Sequence, residues 1–166
     1  GHRVVYYDPA EAMNWVQDGR EVVEFLRPRG FDVVDAAGLV SWLRGRVKAA
    51  APGSVVVIAT GILPERAAEP RGPRCIFKQY LDAGGKVVWI GVEPLLYVSS
   101  ATPPIGRRPW SLGSLKPGGQ EDVLGVRRVA PGSHGPPAIT DTGRRWGMRA
   151  EVDGQLPVPV KQVTKA

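Results

Sequence analysis

Six positions carry residue types that could do chemistry at strand ends: Asp8, Thr60, Gly61, Gly91, Val92 and Glu93. Gly91-Val92-Glu93-Pro94 follows an apolar run, and ligands of open α/β sheets gather beyond the C-terminal ends of their strands. A carboxylate at such a place, Glu93, could act as a general base or hold a hydroxyl-rich ligand. Its plainer role is to cap the next helix start or to bond a neighbouring loop. Asp8 stands at the end of the first apolar run and could share a cleft with Glu93, and two carboxylates in one cleft can run acid–base chemistry. Its plainer role is to close an Asp-Pro turn. Thr60-Gly61 offers a hydroxyl and backbone amides to an anion, with no longer motif around it.

Other chemistry-bearing residues are sparse. Cys75 is the single cysteine, so no internal disulfide and no cysteine-based metal cluster can form. It reads as a partly buried helix residue. His134, inside a Pro/Gly loop, reads as an exposed histidine rather than a base. Neither Gly84-Gly85 nor Gly118-Gly119 sits in a GxGxxG or GxxxxGK[ST] pattern, so no nucleotide motif is present. Arg107-Arg108, Arg127-Arg128 and Arg144-Arg145, with Trp110 and Trp146, could bind phosphates and stack bases. No nucleic-acid module signature accompanies them, and solvated arginines explain them as well. No cofactor and no metal is expected.

The elements that must position these residues follow from periodicity. Arg3–Tyr7, Phe31–Val34, Ser54–Ala59 and Val87–Ile90 read as strands. The last is apolar without alternation, as in a strand covered on both faces. Asp18 with Glu21 resembles a capping box opening a helix through about Arg27. Leu39, Val40, Leu43 and Val47 mark a second helix, and Ile76, Phe77, Tyr80 and Leu81 a third. Gly84-Gly85 ends the third helix, because glycine accepts the left-handed conformation found just past helix ends. Pro94 suits the first turn of a further helix. Thr60 to Arg74 reads as a loop or a poorly formed helix. Strands alternating with helices imply a doubly wound α/β fold: a mainly parallel sheet with helices on both faces.

The 166 residues suggest one domain, with a core over 3–100 and a Pro/Gly-rich extension over 101–166 packed on it. The extension holds 9 prolines and 10 glycines, against long regular elements. Within it, Asp122–Val129 could form a short element, and Ala150–Val152 and Pro159–Val163 late strands. Trp110 and Trp146 argue that it packs rather than dangles. The net charge of +6 is uneven: residues 1–100 hold 12 Lys/Arg against 11 Asp/Glu, and residues 101–166 hold 10 against 5. Any attraction for anions therefore belongs to the last third. No apolar run approaches the roughly 20 residues of a membrane helix. Gly1 and His2 read as a cloning remnant, the chain as a domain excised from a larger protein, and the setting as cytoplasmic and reducing.

Val4-Val5-Tyr6-Tyr7-Asp8, Ser54–Gly61 and especially the run from Tyr80-Leu81-Asp82-Ala83-Gly84-Gly85 to Glu93-Pro94 resemble the class I glutamine amidotransferase-like superfamily, including its ThuA-like relatives. The likeness covers about residues 3–100, with an echo at Thr142–Met148. It implies a flavodoxin-like α/β core in which a helix ending in Ala-Gly-Gly precedes the strand bearing a nucleophile elbow. Active members carry Gly-x-Cys-x-Gly at the elbow and a later His-x-Glu. Here Gly91 matches the first glycine, Glu93 replaces the cysteine and Leu95 the second glycine, while His134 is followed by Gly135 and Pro136. Cys75 lies 18 residues before Glu93, near the far end of the preceding helix. The triad is missing, so the resemblance implies a catalytically degenerate member.

Three functions follow as expectations. The first is a non-catalytic amidotransferase-like domain acting in ligand binding, assembly or regulation, its partners being other domains of a parent protein or a second copy. Its ligand would be small and polar or a carbohydrate, held by Asp8, Thr60, Gly61, Gly91, Val92 and Glu93. The second is a ThuA-like enzyme of carbohydrate chemistry using Glu93 and Asp8. The third is a basic module binding nucleic acid or an acidic partner.

Overall fold

Val4, Val5 and Tyr6 send successive side chains to opposite faces of a sheet, and both faces must be covered by helices. The computed structural model describes residues 2–11, 19–50, 52–69, 74–91, 94–95, 97–99, 110–112 and 123–124. Strands β1 (Arg3–Tyr6), β2 (Asp32–Val34), β3 (Val55–Ile58) and a fourth at Lys86–Trp89 form one parallel sheet. Helices α1 (Gly19–Leu26), α2 (Ala36–Lys48), α3 (Glu65–Ala68) and α4 (Ile76–Asp82) lie between them in sequence. Leu63–Pro64 forms the short strand β4 after β3, so the Lys86–Trp89 strand is β5. The sheet order is β2-β1-β3-β5. Its registers align Tyr6 with Val34 and Ile58, and Ile58 with Trp89.

The two faces carry separate cores. Val4, Tyr6, Val56 and Ile58 pack with Leu39, Val40 and Leu43 of α2 and Phe77 and Tyr80 of α4, with Val87 and Trp89 against them. Val5, Val57 and Ala59 pack with Val23 of α1, flanked by Val22, Leu26, Val33 and Ile90. Helices therefore cover both faces, as the alternation of elements implies. Asp35 caps α2 by accepting a hydrogen bond from the Gly38 amide at 2.7 Å.

The end of α4 is a complete Schellman motif. The Gly84 amide donates to the Leu81 carbonyl and the Gly85 amide to the Tyr80 carbonyl, both at 3.0 Å. Gly84 has φ of 84°, which only glycine adopts without strain. The Ala-Gly-Gly stop thus has a backbone cause in this chain.

Several expectations are corrected. The strand at Val87–Ile90 is parallel, but among the described residues its only partner is β3, and Val88 is 48% exposed. Its apolar run reflects one buried face and an edge, not two covered faces. No helix starts at Pro94: residues 94–95 turn, Leu95 has φ of 61°, and strand β6 (Tyr97–Ser99) follows. A left-handed leucine stops a helix from propagating. Thr60 to Arg74, read as a loop or a poorly formed helix, contains the four-residue helix α3 and, beyond that reading, the short strand β4. A second sheet, order β4-β6-β7 with β7 at Trp110–Leu112, pairs β4 with β6 in parallel and β6 with β7 antiparallel.

Gly1–Leu124 clusters as one compact unit, distinct from Gly125–Ala166. Val123 belongs to the α2/α4 core, so the packed core runs past residue 100. Asp18, Arg107-Arg108, Arg127-Arg128, Arg144-Arg145, His134, Trp146 and the late strands expected at 150–152 and 159–163 lie outside the described residues. Among the described residues, no helix is long and apolar enough to cross a membrane.

Candidate functional site

The chain leaves β1 for β2 on one side and returns to β3 on the other. The C-terminal ends of β1 and β3 therefore flank the topological switch point, where open α/β sheets take their ligands. Because Tyr6, Ile58 and Trp89 are in register, Asp8, Thr60 and Gly91 each lie two residues beyond one level of three adjacent strands. Gly61 follows Thr60 with φ of 65°, and Gly91 has φ of 116°. Four of the six expected positions are thus brought to one edge. Val92 and Glu93 lie outside the described residues.

Asp8 is held by backbone donors. Its Oδ1 accepts from the Ala10 amide at 3.0 Å and its Oδ2 from the Ala36 amide at 3.3 Å. The Glu11 amide donates to the Asp8 carbonyl at 3.1 Å, closing a turn. Asp8 therefore builds the β1 turn and ties it to the first residue of α2. With Asp35 it also places two carboxylates at that helix start, where the dipole favours negative charge.

α1 begins against the same edge. A Cβ on Gly19 would stand 2.9 Å from Tyr7 Cδ2, 3.0 Å from Thr60 Cγ2 and 3.1 Å from the Ala59 carbonyl oxygen. Only a residue without a side chain lets α1 start this close to the ends of β1 and β3.

Beneath the turn lies a buried polar group that the residue patterns do not reveal. Glu11, Ser99 and Tyr6 are all buried. The Ser99 hydroxyl donates to Glu11 Oε2 at 2.7 Å, joining residues 88 apart in sequence. The Tyr6 hydroxyl lies near enough to Glu11 and Ser99 to feel both. Burial pushes the Tyr6 hydroxyl far above its ordinary pKa. The charges of Glu11 and Asp8 add to this, while Ser99 and Arg66 oppose it. Glu11 Oε1 is buried with no hydrogen-bond partner. Local signals for this cluster are slight: Glu11 sits three residues after Asp8, and nothing near Ser99 points back to it.

Cys75 is the N-cap of α4. Its sulfur accepts from the Lys78 amide at 3.3 Å, and the residue is buried in the α2/α4 core. Burial pushes the thiol above its ordinary pKa, with the Lys78 and Phe77 amides partly opposing this. Such a thiol holds little thiolate, the form that attacks. Among the described residues, no group of three or more His, Cys, Asp or Glu could hold a metal ion.

Residues 2–115 match the model of the MJECL34 family. No curated protein and no solved structure matches the chain.

Proposed function

The chain belongs to the MJECL34 family, and we propose that its α/β unit is a non-catalytic, amidotransferase-like ligand-binding domain. Its role would lie in ligand binding, assembly or regulation within a larger protein, in a cytoplasmic, reducing setting. The observation that carries this reading is Cys75: the only thiol is a buried helix cap with a raised pKa, remote in sequence from the strand-end turn. Acyl transfer by a thiol needs an accessible, activated sulfur. The strand order β2-β1-β3-β5 supports the finer flavodoxin-like assignment, in which ligands sit at the β1/β3 switch point. The ligand would enter the crevice that Asp8, Thr60, Gly61 and Gly91 border, with Val92 and Glu93 following Gly91.

The carbohydrate-enzyme alternative asks Asp8 to move protons. Both of its oxygens already accept backbone amides, so the ligand-binding reading is preferred. The basic-module alternative depends on arginine pairs outside the described residues.

Two measurements test the proposal. Hydrolysis of glutamine, esters and peptides should be absent, and robust turnover abolished by Glu93→Ala would overturn it. Backbone-amide NMR titration with small polar metabolites should give saturable shifts at Asp8, Thr60, Gly61 and Gly91. The absence of saturable shifts at all four would also count against it.

A further inference from the structure

Taking the domain as the ligand-binding module proposed above, we infer that the buried Glu11 carboxylate recognises a primary ammonium on a small-molecule ligand entering the crevice between the ends of β1 and β3.

Glu11 is 1% exposed, and its two oxygens are treated differently. Oε2 accepts from the Ser99 hydroxyl at 2.7 Å. Oε1 has no partner. Among the described residues, no Lys, Arg or His forms an ion pair with Glu11. A buried carboxylate normally has a cation or several donors around it, because its lost hydration must be replaced. Here the fold supplies one side-chain donor and leaves one oxygen bare, on a residue of the turn that follows β1.

The bare oxygen selects its occupant. An anion would meet the two negative charges of Glu11 and Asp8, against the one cation Arg66 that also acts on Tyr6, and the start of α2 is already served by Asp8 and Asp35. A hydroxyl brings a donor without charge. A guanidinium binds best as a fork across both carboxylate oxygens, and Oε2 is taken. An ammonium is a compact charge with three donors and can satisfy a single oxygen.

The test is a ¹H–¹⁵N NMR titration of the full chain with n-propylammonium, tetramethylammonium, 1-propanol and glucose at constant ionic strength. The expected result is saturable shifts at Tyr6, Glu11, Ser99 and Thr60 with n-propylammonium, at least ten-fold tighter than with 1-propanol. Tetramethylammonium, lacking N–H donors, should bind at least ten-fold more weakly. Glu11→Gln keeps the shape and removes the charge, and should cost the ammonium at least ten-fold. If Glu11→Gln fails to fold, the wild-type contrast among the probes still decides. Equal response to propanol or tetramethylammonium, or an unchanged titration in a folded Glu11→Gln, overturns the assignment. Saturable crevice shifts with glucose and no ammonium preference would sink the ammonium and leave the ligand-binding reading standing. No saturable shift with any probe would count against both.

Discussion

The Tyr80 ring lies so close over Gly85 that a Cβ there would stand 2.2 Å from the ring Cζ. The ring cannot step aside. Its hydroxyl donates to the Ser54 carbonyl at 2.7 Å and accepts from the Lys86 amide at 3.1 Å, tying α4 to the starts of β3 and β5. Gly85→Ala should therefore destabilise the fold by about 3 kcal/mol, as overpacking in a fixed site does. Gly45→Ala, in α2 with open space around it, should instead stabilise by ~0.5–1 kcal/mol. Urea unfolding of the two variants checks the contrast; equal effects would contradict the clamp.

Stability should fall on the alkaline side. Burial raises the pKa of Cys75, Tyr6 and Tyr80 in the folded state. Groups raised in this way stabilise the fold fully below their unfolded pKa and lose that contribution as pH climbs above it. The loss should start near pH ~8.5 for the thiol and ~10 for the phenols. Urea midpoints from pH 7 to 11 should decline, and Tyr6→Phe should flatten the upper part of the decline. A level profile to pH 11 would refute this.

Cys75 should be chemically silent in the native protein. Its sulfur is buried and caps α4, so a thiol reagent must wait for local or global opening. Labelling at pH 8 should be ~100-fold slower or more than in urea-unfolded chain. Fast native labelling would restore the thiol as a candidate nucleophile.

Asp8→Ala should act on stability. It removes the acceptor of two backbone amides, at Ala10 and Ala36, and should cost about 1–3 kcal/mol. Asp8→Asn, which keeps a carbonyl oxygen, should recover part of that. If a turnover is ever found, Asp8→Asn should leave its pH profile unmoved; a displaced profile would mark Asp8 as a catalytic acid or base.

The residue patterns alone determined the parallel α/β alternation, the Gly84-Gly85 stop and the poor standing of Cys75 as a nucleophile. The third reads from the 18 residues between the thiol and Glu93; the first two depend on interactions within a few residues, apolar periodicity and a left-handed cap. Asp8 as a turn residue was legible for the same reason. Only the tertiary structure decided that β5 leaves Val88 exposed, that a strand rather than a helix follows Pro94, and that Ser99 meets Glu11. Those outcomes turn on which distant segments pair. A strand's neighbours and a buried carboxylate's partner are chosen across the whole chain, and no local spacing encodes them.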